Sequence, residues 1–484
     1  MGHYPIKCIR CSHIMTNDTV LFDTKDAGLN MKAMLNENKA PASHEEKPEA
    51  AAVSVETPRA KSIWDDDDDA GEGDGASNTY VAELSQYMTF GDIRKYCDSK
   101  GFEPCVPKWQ QIDVTPDFQT DDPSDLLVGV TFQKEKNGPK VYANRRFCPA
   151  CHCELPQLSG SMPTYNITVM GTSSSGKTVY LCALNWLLSQ SQGSLPGGCT
   201  LTCVSANKAN NDLVMRSNAL FTQGILPGTT QIVLTEPLTL QMTFRIGGKM
   251  KKCLLAMADM RGEDLVARDG DNLTARGEFF SSADAFMLLV SPMNMPYIRN
   301  ILPNADDDSM NINVHQTLMS NINEYILPFF PNGTIGAPCA IMMSKCDILM
   351  NNVERLGIPR ANAVVAAELP AFRYTRTYFQ SQDSGTRTIV SCDQPLYFFL
   401  QNTFSRSYFT SFSSLGQNVH ITEDENGSRR VQNPNTLRPI RVVDPIIYLL
   451  MSLGFLPQYY LMEAGNNYAN ANMEILNRWM REHL

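Results

Sequence analysis

Gly171-Thr172-Ser173-Ser174-Ser175-Gly176-Lys177-Thr178 is a run in which two glycines bracket small hydroxylated residues before a lysine–threonine pair. The apolar stretch Tyr165–Met170 precedes it, and a helix-like stretch from Val179 to Leu188 follows. A G-x-x-x-x-G-K-[ST] segment between a strand and a helix is the pattern of a loop that wraps a polyphosphate. Glycines let successive backbone N–H groups turn toward an anion, and the helix N-terminus adds partial positive charge. Gly171, Ser173, Ser174, Ser175, Gly176 and Val179 are therefore expected to line the cradle. Lys177 is expected to neutralise the β- and γ-phosphates and serve catalysis, and Thr178 to ligate Mg²⁺. The expected ligand is a nucleoside triphosphate.

Around this loop, apolar runs alternate with helical patterns, which predicts an α/β fold with a mostly parallel sheet. Six strands are expected: Tyr165–Met170, Leu238–Ile246, Lys252–Ala258, Ala285–Val290, Cys339–Ser344 and Ser407–Phe412. Gly247-Gly248 separates the second from the third and predicts a tight hairpin, hence one antiparallel strand. Val314, Leu318, Ile322, Tyr325 and Ile326 recur at helical spacing and predict a packed helix.

Three further segments suit a nucleotide site. The third strand runs into Asp259-Met260-Arg261-Gly262. An aspartate at a strand tip beside a phosphate loop can hold Mg²⁺ through water, and Gly262 can offer its N–H to a γ-phosphate. The fifth strand runs into Ser344-Lys345-Cys346-Asp347. The sixth runs into Ser413-Ser414-Leu415-Gly416.

In this order the motifs resemble the P-loop GTPases of the translation-factor-like and Ras-like class, over 171–415. In that family an [NT]-K-x-D motif reads guanine: the aspartate accepts from N1 and N2, and the lysine stem covers the purine. The resemblance assigns those roles to Asp347 and Lys345, with Ser344 in place of Asn or Thr. It also assigns contact with guanine O6 to the backbone of Ser413, Ser414 and Leu415. Thr229 and Thr230 are candidates for the γ-phosphate-sensing, Mg²⁺-binding threonine, and Thr230 is nearer the strand. Where Ras-like enzymes carry a water-orienting Gln, this chain has Glu263. That residue is either a catalytic group or a solvent-facing switch residue, since its charge opposes the γ-phosphate. Arg261 and Arg268 stand in the same segment.

Cys8-Ile-Arg-Cys11 and Cys148-Pro-Ala-Cys151 are two C-x-x-C pairs, enough for a tetrahedral Zn²⁺ site. The 136 residues between Cys11 and Cys148 exceed the usual spacing, but long loops add little closure entropy. His152 and Cys153 are alternative ligands. The chain shows no internal repeat. A Cys-Pro-x-Cys-His-x-x-Leu-Pro ribbon before a phosphate-loop strand resembles bacterial GTPases of the double-GTPase type. The resemblance extends to Arg441-Val-Val-Asp444-Pro445 and implies a role in bacterial conflict or defence systems.

The net charge of −10 is concentrated. Between residues 36 and 78 twelve acidic residues face four basic ones, a net of −8, with almost no apolar content. That segment is expected to be disordered. The remainder is near neutral, so nucleic-acid binding is not indicated. No apolar run reaches the ~18 residues of a membrane span, and the N-terminus has no signal-peptide core, so a cytoplasmic protein is expected. The expected organisation is a first ribbon half (1–35), the acidic insert (36–78), a β-containing module with the second ribbon half (79–160), a GTPase domain (161–458) and a helical tail (459–484). The expected function is a GTP/GDP switch with slow Mg²⁺-dependent hydrolysis, its zinc ribbon recruiting an unidentified protein partner, with homo-oligomers also open. A P-loop ATPase and a scaffold with a structural nucleotide are the alternatives.

Overall fold

The computed structural model describes residues 3–23, 87–89, 113–133, 140–171, 175–190, 194–195, 199–205, 208–227, 237–246, 249–259, 280–302, 313–358, 376–417, 419–423 and 429–456. The chain divides into two compact units, Met1–Pro163 and Thr164–Leu484. The acidic insert 36–78 and the tail 459–484 lie outside the described residues. Among the described residues, no helix is long and apolar enough to cross a membrane.

The first unit is built from short strands. β1 (Ile6–Lys7) and β2 (Ile14–Met15) form one antiparallel hairpin. β3 (Leu21–Asp23) pairs with β4 (Tyr87–Thr89), and β5 (Asp113–Phe118), β6 (Leu127–Gln133) and β7 (Lys140–Ala143) make a three-stranded sheet. The last strand of that sheet stops at Ala143. Arg146 instead begins β8 (Arg146–Phe147), which joins β3 and forms a second hairpin with β9 (Glu154–Leu155). Ile6, Val20, Phe22, Leu127, Val130 and Leu155 pack with Cys8 and Cys148 in one core. The cysteines are therefore at the centre of this small unit.

The two hairpins repeat each other. In each, the residue two after the first cysteine donates its N–H to that cysteine's sulfur: Arg10 to Cys8 and Ala150 to Cys148, both at 3.4 Å. In each, the residue after the second cysteine, Ser12 or His152, has positive φ (58° and 53°) and donates to the first cysteine's carbonyl. The first cysteine in turn donates to His13 or Cys153. The repeat the sequence conceals is thus one of backbone geometry: sulfur must accept N–H bonds from a turn tight enough to bring two thiols together.

The second unit centres on an eight-stranded sheet. β10 (Thr164–Gly171) ends at the glycine that opens the phosphate-loop sequence, and α1 (Lys177–Gln190) begins at its lysine. β11 (Ser194–Leu195), β12 (Cys199–Ser205) and α2 (Lys208–Gln223) follow. β13 (Leu238–Ile246) and β14 (Lys249–Asp259) pair antiparallel out to Ile246 opposite Lys249, the hairpin expected at the glycine pair. Next come β15 (Ala285–Val290), α3 (Pro296–Ile301), α4 (Val314–Tyr325) and β16 (Cys339–Met343). The chain continues through α5 (Cys346–Met350), α6 (Val353–Leu356), α7 (Arg376–Val390), α8 (Gln394–Thr403), β17 (Ser407–Ser411) and α9 (Asp444–Ser452).

The sheet order is β11-β12-β13-β14-β10-β15-β16-β17, with β14, β10, β15, β16 and β17 parallel. All six expected strands are present, with the one expected antiparallel member among them. The six-strand expectation is nevertheless too small, because β12 pairs antiparallel to β13 and β11 to β12. Alternation along the central strands explains the layering. Ala285, Met287 and Leu289 face a core shared with α1, α2 and α9, whereas Phe286, Leu288 and Val290 face a second core shared with α4, α5 and α8. A sheet buried on both faces leaves its strand ends as the places where polar chemistry can reach solvent.

Candidate functional site

β10 lies between β14 and β15, and the chain visits the β14 side before it crosses to β15. The order of connection reverses at β10, and in open α/β sheets ligands bind in the crevice at the strand C-termini where this happens. The register aligns the tips. Val169 pairs with Asp259, Gly171 with Leu289, Leu289 with Met342, and Met342 with Thr410. Gly171, Asp259, Ser344–Asp347 and Ser413–Leu415 therefore leave the sheet along one edge. Segments up to 244 positions apart in sequence leave the sheet there.

At the phosphate-loop sequence, Gly171 is required by space. A Cβ there would lie 2.8 Å from the Leu289 carbonyl oxygen and 2.9 Å from the Ser175 hydroxyl. Gly176 has φ +83°, a conformation that costs little only for glycine. Its carbonyl accepts from Tyr180 N–H at 2.8 Å, so the helix starts without a gap after the loop. Lys177 reaches back to the Gly171 carbonyl at 3.2 Å, and Lys177, Thr178 and Val179 are half-buried in the opening turn of α1. The Ser175 hydroxyl is buried with no hydrogen-bond partner among the described residues. Ser173, Ser174, Thr229, Thr230, Arg261, Gly262, Glu263 and Arg268 lie outside the described residues. Asp259 is described only as the last residue of β14.

The next tips are more constrained than their sequences suggest. Ser344 is buried, and both its N–H (2.9 Å) and its hydroxyl (3.3 Å) donate to the Val290 carbonyl. Its side chain ties β16 to β15. Lys345 follows in the left-handed region at φ +54°, which swings the chain into α5 and puts Asp347, half-buried, in that helix's first turn. Cys346 donates to the Phe412 carbonyl at 3.1 Å and so joins this turn to the next loop. There Ser413 spends its N–H on the Ile440 carbonyl at 3.1 Å and its hydroxyl accepts from Gly416 N–H. The N–H groups of Ser414 and Leu415 have no acceptor among the described residues.

One residue at this edge escapes a motif-based reading. Ser291, directly after β15, is fully buried and its hydroxyl has no partner among the described residues. A serine capping the wholly apolar run Phe286–Val290 is the only sequence signal for it.

In the first unit, Cys8, Cys11, Cys148 and Cys151 place their sulfurs within 4.8 Å of one another and could hold a metal ion such as zinc. The closest pairs, Cys8–Cys151 and Cys11–Cys148, are 3.6 Å apart. Zinc–sulfur bonds of about 2.3 Å in a tetrahedron put sulfurs about 3.8 Å apart, so the spacing fits. The four thiols also share protons unevenly. Hydrogen bonds with Cys11, Cys151 and Cys8 push the Cys148 thiol far down, while bonds to Cys11, Cys148 and Cys151 push Cys8 up. Such a cluster can lose all its protons together only against a bound cation. Cys153 lies outside this set: its thiol donates to the Glu154 carbonyl at 3.4 Å. His152 serves the turn through its backbone, and its Nε2 is buried without a partner among the described residues.

No protein-family model matches this chain, and no curated protein matches it.

Proposed function

We propose that the chain is a GTP-binding switch of the P-loop GTPase class with slow Mg²⁺-dependent hydrolysis. The observation that carries this reading is the shared edge. The Gly171–Thr178 segment follows β10 at the topological switch point, and the two candidate base-reading segments follow β16 and β17 at the same edge. A triphosphate along the opening turn of α1 would meet Lys177, with Mg²⁺ held by Thr178, by Asp259 through water and by Thr230. Its base would then extend toward Asp347, whose carboxylate suits the two N–H donors of guanine, and toward the amides of Ser414 and Leu415. In this reading Lys345 covers the purine with its stem. Glu263 is a candidate for orienting water, and its charge is consistent with slow or partner-activated turnover.

The engagement of Ser344 with Val290 supports a second reading. With that hydroxyl committed to the sheet, guanine recognition rests on Asp347 and two amides, which leaves an ATPase as the alternative. Calorimetry of the full chain with Mg-GTP and Mg-ATP separates these readings. Micromolar GTP binding with ATP at least tenfold weaker supports the switch, the reverse supports the ATPase, and heat from neither removes the nucleotide reading. A scaffold with a structural nucleotide would bind GTP but show no single-turnover hydrolysis.

We assign the four-cysteine cluster to zinc in a structural ribbon that recruits a protein partner. Four thiolates would fill a tetrahedral shell and leave no open position for a substrate, which favours a closed structural site over a catalytic one. A place in bacterial conflict or defence systems follows from the motif resemblance alone.

A further inference from the structure

The segment 438–444 runs along the candidate base loop and is attached to it at four points. Ile440 and Ser413 exchange both backbone hydrogen bonds, at 2.8 and 3.1 Å. Arg438 N–H donates to the Leu415 carbonyl at 2.9 Å. Gly416, at φ +95°, lies so close to the Arg438 carbonyl that a Cβ would not fit. Arg441 donates from its guanidinium to the Ser411 hydroxyl at 3.1 Å.

Arg441 is an unusual residue to find there. It is 1% exposed, and its φ of +57° is a conformation that costs an L-residue free energy unless its surroundings enforce it. The same segment also touches the phosphate end. The Val442 carbonyl accepts from the Tyr180 hydroxyl at 3.1 Å, and Tyr180 lies in the first turn of α1, two residues after Thr178. The Tyr180 ring meets Phe412 edge-on at 5.0 Å, and Asp444, fully buried, accepts from the Tyr378 hydroxyl on α7. One strap therefore bonds the loop after β17 and the helix after the phosphate loop.

We propose that Arg441 is a positioning residue for purine recognition. It holds Ser411–Leu415 so that the amides of Ser414 and Leu415 face the base while Tyr180 keeps that loop in fixed relation to the phosphate cradle. The proposal rests on the nucleotide reading above. It deepens that reading by separating base affinity from phosphate affinity. A guanidinium bonded to a buried hydroxyl sets the loop backbone, and misplacing two amides that serve one oxygen of the base costs only the base-dependent part of binding.

The test uses the full chain with Mg-GTP and, as a ligand without a base, Mg-tripolyphosphate, both measured by competition against a fluorescent GTP analogue. Arg441→Met is expected to weaken GTP about tenfold or more and leave tripolyphosphate within about twofold. Arg441→Lys, which keeps the charge but not the planar fork, is expected to recover part of the loss. Ser411→Ala removes only the acceptor hydroxyl and is expected to act in the same direction more weakly. It decides the matter if Arg441→Met does not fold. Unchanged GTP affinity in Arg441→Met and Ser411→Ala, or a parallel fall for both ligands in the soluble variants, overturns the proposal. Wild-type protein that binds tripolyphosphate and GTP equally overturns base recognition here while leaving the phosphate cradle intact. Failure to bind either ligand defeats the nucleotide reading itself.

Discussion

Cys8 and Cys151, 143 positions apart, hold their sulfurs 3.6 Å apart across two hairpins that repeat one backbone pattern. The same core contains Phe22, Leu127 and Leu155, so the cysteines and the apolar side chains fold as one unit. Metal loss should then behave as unfolding of the first unit. One zinc per chain is expected by elemental analysis, and Cys148→Ser or excess chelator should remove it. Because zinc supplies on the order of 10 kcal/mol to small thiolate sites, circular dichroism should report loss of the ribbon strands rather than a local change. A Cys148→Ser variant with full zinc content would refute the four-cysteine site.

Arg146 offers a second check on that unit. It is 1% exposed and donates to the carbonyls of Gln157 (2.6 Å), Ser159 (2.9 Å), Pro156 (3.4 Å) and Leu127 (3.5 Å). Burial pulls its pKa down to about 10, so it remains charged at neutral pH. Arg146→Met keeps the apolar bulk but strands those carbonyls. The expected cost is about 2–4 kcal/mol, read as a lower urea midpoint for zinc release. Arg146→Lys should fall between, since one ammonium cannot span four acceptors in two directions. A midpoint unchanged in Arg146→Met would mean that water or backbone movement satisfies the carbonyls.

These two arginines mark the limit of what could be read from the chain. The central strands were legible because a sheet buried on both faces needs uninterrupted apolar runs, as in Ala285–Val290 and Cys339–Met343. β12 was missed because Cys199-Thr-Leu-Thr-Cys-Val-Ser mixes threonine with apolar residues, as a strand added beyond the buried centre can. The ribbon repeat was missed because its two halves share cysteines and turn geometry, not side chains. The burial of Arg146 and Arg441 was not legible because a cation counts as surface in any hydropathy pattern, and only the carbonyls and hydroxyls of distant segments make burial tolerable. The motif residues at the sheet edge could be named in advance. That Ser344 and the Ser413 amide are committed to neighbouring strands could not.

Gly171 and Lys177 give the sharpest test of the phosphate cradle. A methyl group at Gly171 would press on the Leu289 carbonyl and the Ser175 hydroxyl at 2.8 and 2.9 Å, so Gly171→Ala should distort the loop at its root. Lys177→Ala is expected to leave the fold intact, because the half-buried lysine sits at the start of α1 and its ammonium donates to the loop's own Gly171 carbonyl. Under the proposed function, Lys177→Ala should weaken Mg-GTP at least about a hundredfold at unchanged melting temperature. Gly171→Ala should lower both affinity and melting temperature. Retained GTP affinity in Lys177→Ala would remove the lysine from phosphate binding.

Buried thiols predict how the second unit responds to alkali. Burial pushes Cys182 up to about 12, and Cys253 and Cys339 well above the ordinary value of 9.0. In the unfolded chain these thiols ionise from about pH 9, whereas in the folded chain they stay protonated, so the folded state binds more protons there. Stability is therefore full below pH 9 and falls as pH rises toward 12, by up to about 1.4 kcal/mol per pH unit for each such thiol. Denaturant midpoints at pH 8 and pH 10.5 should show this fall. Mass spectrometry after brief iodoacetamide treatment at pH 8 should find the three cysteines unmodified in the native protein. Rapid native labelling would contradict their burial.

Asp347 permits a change of specificity as well as a loss of it. In the proposed complex its carboxylate accepts from guanine N1 and N2, and it sits in the first turn of α5, a position set by the left-handed Lys345. Replacing Asp347 by Asn exchanges one acceptor oxygen for an NH₂ donor without changing size. Guanine then faces donor against donor, and GTP affinity should fall about a hundredfold. Xanthine carries a carbonyl where guanine carries the N2 amine, so xanthosine triphosphate should bind Asp347→Asn more tightly than it binds the parent chain. Parallel titrations of both nucleotides with both proteins would read a crossed pattern. Equal loss for GTP and xanthosine triphosphate would place Asp347 in the architecture of α5, not against the base. Unchanged affinity for both would move the purine away from this end of the sheet altogether.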